Sequence, residues 1–283
     1  MTQTTAYPAL PEVRFARIPL ESQTHYLGDR FSYLEAGPTD QPCVLFLHGI
    51  GSNASYYRFQ FAALSSQFRV VAWNAPGYWM SDNLKTENPN DDDYANAVVD
   101  FTQALGLQKF ILCGNSFGSV VAQAFAIRHP QRVARLILTG TGVGQQQVSP
   151  ERREKFEARA RRIRLGSYQY GDAGVDNLVG PQATAALRAM LVEVARGTQA
   201  AGMLRAVSFR LSSFYTPDLA SAMTMPVLLV QGSEDRVNPR QENADLLLPQ
   251  LSNGRLVELP GIGHLPEVEA PNDFNRLLLD FVG

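Results

Sequence analysis

The chain has little of what marks several large protein classes. Of its 283 residues only two are cysteine and four are histidine, and 25 Lys and Arg against 27 Asp and Glu leave a formal charge of −2. Cys43 and Cys113 each sit inside an apolar run, so they make neither a disulfide framework nor a metal-ligand cluster, and free thiols of this kind suit a reducing compartment. The near-zero charge excludes the basic field that draws a chain to nucleic acid or anionic lipid. No stretch approaches the roughly 18 uninterrupted apolar residues of a membrane span. The opening, Met1 to Pro8, lacks the basic-then-apolar order of a secretory leader. A cytoplasmic location is therefore expected. The expected partner is a small-molecule substrate, with no nucleic acid and no membrane; self-association into a homo-oligomer is left open.

What is present is a globular balance: 45 % hydrophobic and 18 % charged residues suffice for a sizeable core. Arg14 to Leu20 and Thr24 to Glu35 alternate loosely around Gly28-Asp29, as an antiparallel edge would. Beyond them Cys43 to Leu47, Arg69 to Trp73, Phe110 to Cys113 and Arg135 to Leu138 are short, nearly continuous apolar runs, the pattern of parallel strands covered on both faces. Helical stretches at Ser55 to Ser66, Tyr94 to Leu105 and Ser116 to His129 fall between them, so a mostly parallel, doubly wound α/β sheet is expected. After Thr139 only helices are readable: Glu151 to Leu165, Gln182 to Arg196 and Gln199 to Leu211. Alternation resumes with Pro226 to Gln231, a helix over Arg240 to Leu248, the strand Arg255 to Leu259 and a final helix with Phe274, Leu277, Leu278 and Phe281 on one face. The expected organisation is a core domain of residues 1–141 and 217–283, split after the sixth strand by a helical cap of residues 142–216.

The chemistry is carried by Gly114-Asn115-Ser116-Phe117-Gly118, between an apolar strand and a helix rich in small residues. Strand, sharp turn and helix are the setting of a Gly-x-Ser-x-Gly nucleophile elbow, whose serine takes a strained backbone and whose neighbours must be small. A serine hydroxyl needs an imidazole to take its proton and a carboxylate to orient the imidazole. Asp235, in Gly232-Ser233-Glu234-Asp235, and His264, in Gly261-Ile262-Gly263-His264, follow later strands in the order serine, acid, histidine. Glu234 is the alternative acid, and a capping role is the alternative reading of Asp235. His48-Gly49-Ile50 ends the first parallel strand, where the backbone amides of Ile50 and Phe117 would form an oxyanion hole; His48 itself is read as a brace for that loop.

Together with Ala75-Pro76-Gly77-Tyr78 and Ser81-Asp82, these segments resemble the α/β-hydrolase superfamily across nearly the whole chain. The resemblance implies the α/β-hydrolase fold, catalytic roles for Ser116, Asp235 and His264, oxyanion roles for Ile50 and Phe117, and no metal or organic cofactor. Trp79 departs from it, since such proteins commonly carry glycine or another small residue there. Within the superfamily the elbow is similar to that of the meta-cleavage product hydrolases, which cut a carbon–carbon bond in ring-fission dienones. Those enzymes usually follow the histidine with tryptophan, whereas Leu265 and Pro266 follow here, and the Ile50-Gly51-Ser52-Asn53 loop looks more like that of carboxylesterases and enol-lactonases. Hydrolysis of a small ester or lactone is therefore the leading expectation, with C–C hydrolysis second and a catalytically silent ligand receptor third. Finally, the first cap helix carries Arg152, Arg153, Arg159, Arg161, Arg162 and Arg164. A solvated face is the default account of them; one turned inward would bind a substrate carboxylate.

Overall fold

The computed structural model describes residues 7–147, 149–166 and 172–283, with residues 172 and 173 as backbone only. Eight strands form one sheet in the order β1-β2-β4-β3-β5-β6-β7-β8. They are β1 (Val13–Arg17), β2 (Arg30–Ala36), β3 (Cys43–Leu47), β4 (Arg69–Trp73), β5 (Phe110–Asn115), β6 (Val133–Thr139), β7 (Val227–Gly232) and β8 (Gly254–Leu259). The β1/β2 and β2/β4 pairs are antiparallel and every other pair is parallel, which is the expected doubly wound sheet with an antiparallel edge.

The period-two geometry of a strand sends alternate side chains to opposite faces, and here both faces are dry. Leu45, Leu47, Val71, Leu112, Leu136 and Leu229 enter one core with helices α2 (Asp91–Ala104) and α3 (Phe117–Arg128). Val44, Phe46, Val70, Ile111, Ile137 and Leu228 enter a second core with α1 (Arg58–Leu64) and the C-terminal helix. That division explains why the strands read as continuous apolar runs. α2 begins with a reciprocal cap: Asn90 accepts from the Asp93 amide and Asp93 accepts from the Asn90 amide, with Asp91 to Asp93 set against the positive end of the helix dipole. α3 is buried nearly all round, as its small and apolar sequence requires.

Between β6 and β7 lie α4 (Pro150–Arg164), α5 (Asp172–Asp176), α6 (Ala185–Arg196) and α7 (Ala200–Phe209). Leu187, Met190, Leu191 and Val194 of α6 are buried, as are Met203 and Val207 of α7. Parts of the stretch expected as a cap, residues 148 and 167–171, and the first six residues of the expected core lie outside the described residues. After β7 come α8 (Ala244–Leu247), α9 (Pro266–Glu269) and α10 (Pro271–Val282), the last burying Phe274 and Leu278; each such side chain contributes about 1.5–3 kcal/mol of burial.

Two local expectations are corrected. The stretch from Thr24 does not extend until Arg30: Gln23–His25 is a 3-10 turn, because Ser22 and Tyr26 both donate their hydroxyls to Asp100 of α2 at 2.7 Å and draw the chain off the sheet. Arg240 to Leu248 is not one helix; Asn243, at φ −137° and ψ −80°, interrupts it between a 3-10 turn (Arg240–Glu242) and the single turn of α8. Among the described residues no helix is long and apolar enough to cross a membrane.

Candidate active site

Ser116 joins β5 to α3 at φ 54° and ψ −114°. It and Trp79 are the two non-glycine residues with positive φ among those described, a conformation that costs of order 1–3 kcal/mol and must be held by its surroundings. The flanking glycines show how it is held. A Cβ on Gly114 would collide with the Gly118 carbonyl, and one on Gly118 would collide with the Leu47 carbonyl at the end of β3. Strand, helix and neighbouring strand therefore close on the turn to within backbone contact, and the Ser116 amide is tied to the Thr139 carbonyl of β6 at 3.0 Å. The hydroxyl is half-buried, faces the crevice outside the carboxyl ends of the strands, and makes no hydrogen bond to the described residues.

Two loops border it. Phe117 is the first residue of α3, so its amide is one of the four that helix geometry leaves without an intrahelical acceptor. The loop after β3 crosses close by, since a Cβ on Gly49 would lie 3.2 Å from the Ser116 Cβ, which sets Ile50 beside the elbow. His48 braces this loop as expected. Its Nε2 accepts from the Ala75 amide at 3.1 Å and its Nδ1 lies 2.9 Å from the Gly49 carbonyl, to which it donates. Burial pushes its pKa down to about 4, the bond to Gly49 opposing, so it stays neutral.

His264 and Asp235 are brought together at the same edge. Nδ1 of His264 is 2.8 Å from Oδ2 of Asp235, with both side chains almost fully buried. The other carboxylate oxygen accepts from the amides of Val237 and Asn238, each at 2.9 Å, and Oδ2 also accepts from Gln231 Nε2 at 3.1 Å. Burial alone would raise the Asp235 pKa; the His264 charge and these hydrogen bonds outweigh it and hold the carboxyl below its ordinary value. An ionised Asp235 can only accept, so the imidazole proton is placed on Nδ1 and the Nε2 lone pair is left basic. The Glu234 side chain is exposed, bonds only its neighbour Ser233 and makes no contact with His264. Ser116 Oγ and His264 are not hydrogen-bonded in this conformation; such contacts commonly tighten only around substrate.

Beneath these residues lies a polar network that sequence reading missed. Glu267 is fully buried, accepts from the hydroxyls of Tyr56, at 2.8 Å, and Thr139, and lies 3.5 Å from Asn115 Nδ2. Asn115 donates to Thr139 Oγ1 at 3.0 Å and to the His264 carbonyl at 3.2 Å, so the elbow asparagine anchors the histidine loop from below and does not face the nucleophile. Burial raises the Glu267 pKa. No sequence signal singles Glu267 out, since its partners come from three other segments of the chain. Trp79 takes φ 48° at the position where the resembled family carries a small residue, and its carbonyl accepts from Gln199 at the start of α7.

Among the described residues no group of three or more His, Cys, Asp or Glu is arranged to hold a metal ion. A cleft of about 540 Å³ between α4 and α7, lined by Glu157, Arg161, Leu204 and Ser208 among others, contains none of Ser116, Asp235 or His264. The arrangement at the sheet edge has the parts for acyl transfer: a half-buried serine on a strained turn at a helix N-terminus, and an imidazole whose tautomer a buried carboxylate sets.

Comparison with known proteins bears on the fold. Residues 42–271 match the alpha/beta hydrolase fold family. The chain is 31 % identical, over 95 % of its length and 96 % of the relative's, to the 2-hydroxy-6-oxononadienedioate/2-hydroxy-6-oxononatrienedioate hydrolase 2 of Pseudomonas putida. It superposes on a thermophilic esterase from Thermogutta terrifontis with a TM-score of 0.83 at 21 % identity, covering 96 % of this chain and 98 % of that one. The 2-hydroxy-6-oxo-6-phenylhexa-2,4-dienoate hydrolase of a Rhodococcus strain gives a TM-score of 0.75 at 22 % identity, covering 96 % and 99 %.

Proposed function

The chain belongs to the alpha/beta hydrolase fold family, and on that premise we propose that it is a serine hydrolase in which Ser116 is the nucleophile, His264 the general base and Asp235 the residue that orients the histidine. Ser116 Oγ attacks a carbonyl carbon while His264 Nε2 takes its proton. The backbone amides of Ile50 and Phe117 receive the oxyanion. His264 returns the proton to the leaving group, and water then releases the acyl enzyme. The observation that carries this reading is the fully buried His264–Asp235 pair at 2.8 Å, beside a serine held at positive φ. Residues 142–216 act as a cap over the site. Three contacts support that role: Asn53 of the oxyanion loop donates to the Val194 carbonyl of α6 at 2.7 Å, Gln199 donates to the Trp79 carbonyl, and Gly202 meets the backbone of Gly77.

The bond cut is the C–C bond of a 2-hydroxy-6-oxo-dienoate. The ester or lactone reading that ranked first on sequence gives way because the curated relatives, similar over nearly the full length, are named as hydrolases of such compounds. Cleavage on this triad requires the leaving carbon to be protonated, which His264 can do with the proton it took from Ser116. Ester or lactone hydrolysis is kept as a second reading on one observation. Leu265, beside the histidine, is a buried apolar side chain that can neither stack nor donate to a planar dienol.

The test has two parts. Ser116→Ala should abolish turnover and fluorophosphonate labelling at unchanged melting temperature; retained labelling refutes the nucleophile. In a side-by-side measurement of kcat/KM, the dienoate should exceed a short acyl ester and an enol-lactone by a hundredfold or more, about 2.7 kcal/mol of differential transition-state binding. An ester preference of that size installs the second reading.

A further inference from the structure

Glu267 lies on the short helix α9 just past His264 and is completely buried, with no Lys or Arg paired to it among the described residues. A buried carboxylate without a cation is costly and persists where hydrogen bonds offset the lost hydration. The bonds here have a direction. Thr139 donates its hydroxyl to Oε1 and Tyr56 donates its own to Oε2 at 2.8 Å. Asn115 directs its two N–H groups to Thr139 Oγ1 at 3.0 Å and to the His264 carbonyl at 3.2 Å. Each of these protons has an acceptor when the carboxyl is ionised; a proton on Glu267 would be set against the hydroxyl proton of Thr139 or of Tyr56.

This chain of bonds ends on the reacting pair. The Thr139 carbonyl accepts from the Ser116 amide at 3.0 Å, and Asn115, the residue before Ser116, joins the elbow to the histidine loop. The oxyanion loop rests on the same carboxamide, since a Cβ on Gly49 would lie 3.0 Å from Asn115 Oδ1. Gln60 of α1 fixes the other end by donating to the Glu267 carbonyl at 2.9 Å. The remaining ionisable groups around α9 are accounted for. Tyr56 and Tyr57 of the 3-10 turn Ala54–Tyr57, and Cys113 of β5, are pushed well above their ordinary pKa values by burial and stay neutral. Glu269 accepts from the amides of Gly180, Gly263 and Leu265, and burial raises its pKa as it raises that of Glu267. β7 carries no titratable residue. Arg58 of α1 turns to Tyr7, while in α10 Asp273 and Arg276 pair with each other at the surface and Asp280 is exposed.

We infer that Glu267 is a positioning residue of the hydrolysis: in its ionised form it holds, through Thr139 and Asn115, the spacing between the Ser116 turn and the His264 loop. The assignment rests on the proposed roles of Ser116 and His264, and the experiment separates the two. Misplacing a reacting group by about 1 Å can cost about a hundredfold in rate, whereas the fully buried Glu267 has no part in binding substrate. With 4-nitrophenyl acetate, Glu267→Met should therefore lower kcat at least tenfold while KM changes less than about twofold, and it should slow fluorophosphonate labelling to the same degree. Glu267→Gln, which keeps the shape and one acceptor, should fall between Glu267→Met and the parent. Thr139→Val should resemble Glu267→Met, and the double variant should be little slower than either, because both changes break one path. The acid limb of kcat/KM should be steeper in the parent than in Glu267→Gln; whatever His264 and Glu269 contribute is common to both proteins, so the difference belongs to Glu267. A merely structural carboxylate would lower the melting temperature and leave kcat, the labelling rate and the steepness of the acid limb as in the parent, and that result overturns the assignment. Should Glu267→Met not fold, the same readings on Glu267→Gln and Thr139→Val decide. Unchanged kcat in these variants of a protein that Ser116→Ala inactivates overturns the positioning role alone; turnover that survives Ser116→Ala overturns both.

Discussion

Replacing Asp235 by asparagine changes one atom, and its consequence can be followed from the hydrogen bonds around it. Oδ1 accepts from two backbone amides that cannot turn away, those of Val237 and Asn238, so the asparagine must keep its carbonyl oxygen there. Its NH2 then occupies the Oδ2 position, where it meets the Gln231 amide as donor against donor and faces His264 Nδ1 at about the 2.8 Å of the parent contact. An NH2 needs an acceptor, so Nδ1 loses its proton and Nε2 carries it. That tautomer cannot take the proton of Ser116. The expected loss in kcat is about ten-thousandfold, or about 5.4 kcal/mol. Stopped-flow acylation by a 4-nitrophenyl ester measures it, with Glu234→Gln as control. A loss under about tenfold, or an equal loss in the control, refutes the reasoning. Stability carries a matching signature. The depressed Asp235 pKa contributes stability above the ordinary carboxylate range that is lost as pH falls through the folded-state value, and Asp235→Asn should remove that part of the acid limb.

Two further outcomes are expected. Glu267 has the opposite sign: burial raises its pKa above the ordinary 4.5, so the stability it allows is fully present below that value and is lost as pH rises towards the folded-state value; Glu267→Gln should flatten this slope in denaturant titrations, and an unchanged slope places the titration elsewhere. At Trp79 the positive φ should make the glycine variant more stable than the alanine variant by about 1 kcal/mol, since both lose the same ring and only glycine relieves the backbone; equal melting temperatures would show that the strain is not intrinsic to that residue.

Much of this protein was legible in one dimension because its signals are local. Continuous apolar runs such as Cys43 to Leu47 announce strands buried on both faces, and the sheet bears this out with one core on each side. Gly114 and Gly118 mark a turn that only glycine can flank, and the positions where their Cβ atoms would collide show why. The sequence also pointed to Asp235, from its loop after a strand and the order serine, acid, histidine. Tertiary structure alone decided which of Asp235 and Glu234 meets His264, since both lie in one loop and only packing buries one of them against the imidazole. It decided the polar support under the elbow, where Glu267 gathers Tyr56 and Thr139 from 211 and 128 residues away. It sorted the arginines of α4, whose spacing cannot say which guanidinium a neighbouring helix covers. The division follows from range: backbone conformation and face-by-face burial are written in the nearest few residues, whereas the pairing of buried charges and hydrogen bonds depends on segments that meet only when the chain has folded.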